Sequence, residues 1–133
     1  MSLERTREER VTRLSEGTLH TFQLGPIAER MRREQEYSRN GRGGITLVKN
    51  PGLRVVLEVL RRGAALAEHT APGPITVQVL EGEIRLQAGE EVVYLKQGEL
   101  LTLPSRQPHS VEAVHDAVFL LTIAPEGRRE PQE

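Results

Sequence analysis

Residues 98–109, GELLTLPSRQPH, decide how the chain reads. Gly98 follows Lys96 and Gln97 and supplies the backbone freedom of a turn. Leu101 and Leu103 then fall on one face of an extended segment, with Leu100 and Thr102 on the other. Pro104 has no N–H to donate and ends the ladder. Ser105–Pro108 turns the chain, and His109 opens a second strand in which His109, Val111 and Ala113 share a face. Two apolar neighbours at period two turn His109 to the buried side.

Working outward, residues 45–124 carry period-two alternation broken by glycine and proline turns at short intervals. Leu53, Val55, Leu57 and Val59 share one face, and Arg54, Val56, Glu58 and Leu60 the other. Further on, Ala65, Ala67 and His69 alternate with Leu66, Glu68 and Thr70, before the Pro72–Gly73–Pro74 turn. Ile75, Val77 and Val79 form an apolar face, with Thr76 and Gln78 opposite. Glu81–Gly82 has the chemistry of a tight hairpin loop into 83–87. Residues 117–124 close the set with an apolar run. Many short strands with closely spaced turns indicate an all-β sandwich or barrel.

Upstream, Pro26 suits the first turn of a helix over 26–37, with Leu24, Ile27 and Met31 as a narrow apolar stripe. Asn40–Gly41 signals its C-terminal end. A short strand is expected within 17–23, and residues 1–15 read as a solvated, charge-dense arm. The expected organisation is an arm and helix over 1–44, a β-barrel over 45–124 and a charged tail over 125–133.

Composition removes whole classes of function. With no cysteine, thiolate catalysis, thiolate metal sites and disulfides are excluded. Net charge is −1 and the aromatics are Phe22, Tyr37, Tyr94 and Phe119 alone, so neither a polyanion-steering field nor a base-stacking platform is present. No nucleic-acid partner is expected. The charged N-terminus and the lack of a long apolar run predict a cytoplasmic protein with no membrane partner.

The spacing of Gly98, Pro104 and His109 resembles the second conserved motif of the cupin superfamily, in which Arg106 stands in place of a glycine and Ala113 in place of an asparagine. Residues 63–82, GAALAEHTAPGPITVQVLEG, resemble the first motif: Gly63, His69 and Gly82 match, while its second histidine falls on Ala71 and its glutamate on Ile75. The resemblance implies a cupin-type double-stranded β-helix (jelly-roll) barrel, to which the sequence pattern adds one N-terminal α-helix. It also implies a metal centre of three histidines and a glutamate, of which this chain keeps His69 and His109.

Those two histidines are the candidate metal ligands, an incomplete shell for a divalent transition metal. They should meet near one mouth of the barrel, in an apolar wall made by Ala71, Ile75, Val77 and Val111. Arg106, in the turn before His109, and Gln78 complete the candidate ligand-binding set, although alternation turns Gln78 away from Ile75 and Val77. Arg106 would favour an anion; a solvated turn position is its other reading. The function expected first is binding of a small molecule in a pocket around His69 and His109. A metal-dependent oxygenase or isomerase is the alternative, and a non-catalytic assembly protein the third. Because Val56 and Leu60 are read as outward, that face needs cover from the 26–37 helix or from a second subunit, and a homodimer through 45–60 is expected.

Overall fold

The computed structural model describes residues 19–127. The arm at 1–15 and the end of the tail therefore lie outside the described residues. Those residues form two short helices, α1 (Leu24–Arg32) and α2 (Gln35–Asn40), followed by nine strands. The strands are β1 (Arg42–Asn50), β2 (Leu53–Leu60), β3 (Ala65–His69), β4 (Ile75–Glu81), β5 (Glu83–Ala88), β6 (Glu91–Lys96), β7 (Leu100–Leu103), β8 (His109–Ala113) and β9 (Ala117–Ile123). They make two antiparallel sheets, ordered β1-β2-β9-β4-β7 and β3-β8-β5-β6. The inner faces meet over Leu60, Ile75, Val77, Val79, Ile84, Leu86, Val111 and Phe119. This is the jelly-roll arrangement expected from the strand pattern.

Several local expectations change. Residues 19–23 form no strand. The single helix over 26–37 is two helices, broken at Arg33 and Glu34. The stripe of Ile27 and Met31 would next meet Glu34 or Gln35, which have nothing apolar to bury. Tyr37, six residues past Met31, would lie off the stripe of a straight helix. The break instead buries Tyr37 beside Met31, Leu57 and Val59. Gly41 ends α2 as expected, at φ 72° with its N–H donating to the Tyr37 carbonyl. The barrel begins at Arg42, not at residue 45.

The faces of β2 are the reverse of those expected. Leu57 and Val59 face out and are covered by Ala28, Met31 and Tyr37, while Leu60 belongs to the inner core and Val56 lines the interior. The chain's own helices, one of the two covers expected, lie over the outer face of β2. Arg32 anchors α1 to the end of β4 by bonding Glu81 at 2.9 Å, and bonds Glu29 of its own helix at 2.7 Å. Among the described residues the exposed large apolar side chains on strands include Val92, Val93 and Tyr94 on β6 and Leu100 on β7.

Glu81–Gly82 is not a hairpin loop. β4 pairs with β7 and β9, whereas β5 pairs with β6 and β8, so the chain changes sheets at Gly82. A φ of 78° and close approach to the Asp116 backbone make that corner. The sequence signal for a tight turn was right, and its partner strand was not.

Candidate functional site

Between the two sheets lies an open cavity of about 540 Å³. His69 and His109 stand at its mouth, joined as direct neighbours in the β3–β8 ladder. Their ring centroids are 4.4 Å apart and the planes tilted by 59°. His109 is 4 % exposed; His69 is open to solvent. The two histidines picked out by spacing therefore share one place.

His109 reaches the cavity as alternation requires, on the face of Val111 and Ala113. His69 arrives by a different route. Leu66 pairs with Val111 and His69 with His109, so three steps along β3 match two along β8. The extra residue is a β-bulge, which resets the alternation. Leu66 and His69 consequently both line the cavity, although an odd number of steps separates them. His69 therefore faces inward as expected, but it shares the cavity wall with Leu66 and not a face with Ala65.

Both rings are held in one tautomer. His69 Nδ1 lies 2.8 Å from the Ala67 carbonyl and His109 Nδ1 2.9 Å from the Gln107 carbonyl. A carbonyl oxygen only accepts, so each Nδ1 carries a proton, and in the neutral form of either ring Nε2 is the lone pair. Burial lowers the His109 pKa below the ordinary histidine value; the Gln107 carbonyl opposes this, and the neighbouring His69 adds to it. His109 is thus held in the neutral, accepting form.

A pH dependence follows from that sign. Below about pH 6.5 the unfolded chain binds a proton at position 109 that the folded chain resists. The stability this causes is complete above the unfolded value and is lost as pH falls through the lowered folded value. Urea denaturation at about pH 7.5 and about pH 5 should show a larger acid loss for the wild type than for His109→Asn. Equal losses would mean that this ring is not the group being titrated.

The other expected site residues do not join the pair. Gln78 is exposed, pairs with Leu100 and Leu120, and is absent from the cavity wall, because β4 keeps strict alternation from Ile75 to Val79. Arg106 is also outside the wall. Its guanidinium lies 3.6 Å from Glu126, and its backbone N–H donates to the Ala71 carbonyl at 3.2 Å. Its φ of 63° is the left-handed conformation that explains the glycine of the resembled motif. The position is a backbone requirement of the turn. His115 is exposed, 3.8 Å from Glu83.

Ala71, Ile75, Val77 and Val111 line the cavity, as expected. The sequence reading missed the opposite wall, where Thr46, Lys49, Arg54, Val56 and Glu58 come from β1 and β2. Glu58 is 4 % exposed. The available signal was the contrast between the faces of β2: the wholly apolar face suits the underside of a helix, and the mixed face suits a ligand cavity.

A divalent metal would find two well-prepared imidazole donors, since ligating histidines commonly tie their other nitrogen to a carbonyl. The remaining set does not fit. Ala71 and Ile75 stand in the wall with no donor atom, and among the described residues no group of three histidine, cysteine, aspartate or glutamate side chains could hold an ion. Two imidazoles leave most of a coordination sphere to solvent. That donor set supports no chemical step routed through a metal. No helix among the described residues is long and apolar enough to cross a membrane.

Comparison with solved structures finds the same architecture. A conserved protein of unknown function from Streptococcus pyogenes superposes with a TM-score of 0.63 at 23% identity, covering 68% of this chain and 79% of that one. KdgF from a Halomonas species gives 0.60 at 22%, covering 68% and 82%. A salicylate 1,2-dioxygenase from Pseudoaminobacter salicylatoxidans gives 0.69 at 19%, covering 77% of this chain but 32% of that one. At these identities the likeness is one of fold. Among curated proteins none matches. The family model described as Cupin domain matches residues 56–124, from the inner face of β2 to just past the end of β9 and slightly more than half of the chain. With both motif histidines at one mouth between two jelly-roll sheets, this chain belongs to the cupin family.

Proposed function

We propose that this cupin binds a small molecule in the barrel cavity, at the His69–His109 mouth. The observation that carries the reading is the pair of Nε2 lone pairs, each fixed by an Nδ1–H bonded to a backbone carbonyl, beside a cavity of about 540 Å³. That volume is in the range of small-molecule sites. Two adjacent acceptors suit a ligand hydroxyl or N–H, and the apolar wall of Ile75, Val77 and Val111 suits its hydrocarbon part.

The same two lone pairs favour one other reading, a metal-dependent cupin enzyme whose ion is completed by substrate and solvent. Elemental analysis of protein purified without a histidine tag separates the two. The binding reading expects far less than one transition-metal ion per chain; a stoichiometric ion would replace it with the enzyme reading. Small polar molecules that raise the melting temperature of the wild type should bind His109→Ala at least about tenfold more weakly, a loss of about 1.4 kcal/mol. Binders indifferent to His109→Ala would place the ligand elsewhere.

A further inference from the structure

Facing the histidines across the mouth is a pair of cations. Thr46 pairs with Val56 and Val48 with Val55, so β1 carries an extra residue at Leu47. That bulge turns Lys49 inward, directly opposite Arg54, and both line the cavity. Like charges directly opposite across a strand pair repel. Neither makes an ion pair with a carboxylate of the described residues. Arg54 Nε is fully buried and has no hydrogen-bond partner, the one side-chain nitrogen or oxygen of the described residues in that state.

A buried donor left unmade is costly, and a like charge beside it adds to the cost. Both costs vanish if an anion sits between the two cations. The guanidinium presents Nε and one terminal nitrogen as a planar fork that matches the two oxygens of a carboxylate, and the ammonium adds a second positive contact. Glu58 faces the same cavity two inward positions deeper along β2, so the anion's place is the mouth and not the floor. Val56, Ile75, Leu121 and Ile123 offer apolar surface next to that place, which favours an organic anion over an inorganic one. We infer that the cavity takes a small organic carboxylate, its carboxylate bridging Arg54 and Lys49 and its hydrocarbon part lying on that apolar wall. The inference rests on the binding function proposed above and names its ligand class.

The test uses two probes of nearly equal shape that differ in charge, cyclohexanecarboxylate and cyclohexanecarboxamide, titrated calorimetrically at low salt. The carboxylate should bind at least tenfold more tightly than the amide. Arg54→Gln should abolish that preference, and Lys49→Gln should reduce it. Equal binding of the two probes would overturn the carboxylate assignment and leave the pocket reading standing; binding of neither would overturn both. Ligand-free protein gives a second measure. Arg54→Met removes the unpartnered cation while keeping its hydrocarbon stem, so the melting temperature should rise, by about 4 °C. A fall would show that Arg54 is a supporting side chain and would overturn the assignment.

Discussion

Gly82→Ala should destabilise the fold by more than about 3 kcal/mol, at the severe end for a single substitution. A Cβ there would stand 2.0 Å from the Asp116 carbonyl oxygen, 2.8 Å from its carbon and 2.9 Å from Ala117 Cα. All three are backbone atoms at the start of β9, so no side chain can swing away. The residue also has φ 78°, which a Cβ disfavours. Gly89 supplies the control: it has φ 62° but open space around its would-be Cβ. Gly89→Ala should therefore cost only the conformational part, about 1 kcal/mol. Urea titration of both variants isolates the clash as their difference. Similar midpoints would show that the β4–β5 corner is softer than its backbone contacts imply.

The second large effect lies at the floor of the cavity. Phe119 is 2 % exposed and stands between Glu58 on β2 and Val79 on β4, where it belongs to the inner core and also lines the cavity. Phe119→Ala should cost about 3–5 kcal/mol, the lost transfer energy plus the space left behind. Because that space joins an existing cavity, water can enter it and the value should fall toward the lower figure. Phe119→Leu keeps most of the volume and should cost less than about 1.5 kcal/mol. Equal costs for leucine and alanine would mean that ring shape, not volume, holds the floor.

What could be read from the sequence was whatever follows strict alternation. His109, Val111 and Ala113 on β8, Ile75, Val77 and Val79 on β4, and Leu101 and Leu103 on β7 all face as their spacing requires. The misreadings fall where one physical effect overrode that rule. On β2 one face is wholly apolar and the other mixed, and it takes the helices' apolar stripe to turn that contrast into a choice of which face is covered from outside. On β1 the bulge at Leu47 brings Lys49 inward, and no local composition announces it. At Gly82 the turn signal was genuine, but a turn residue does not say which strand comes next to which. The histidine pair was legible because spacing tied His69 and His109 to one motif set, independently of local facing. The cationic wall had no such tie.

The two bulges give the mouth an arithmetic of its own. Strand parity ordinarily assigns every second residue to the interior, yet His69 and Lys49 owe their places to one supernumerary residue each, on β3 and β1. The residues that distinguish this mouth thus depend on how each strand is paired as well as on identity. Straightening β3 so that Leu66 to His69 pair residue for residue would leave every side chain chemically intact and send the imidazole to the outer surface. Divergence among barrels of this type can therefore proceed by the gain or loss of bulges within strands, exchanging which side chains a ligand meets while the hydrophobic layer beneath keeps its register.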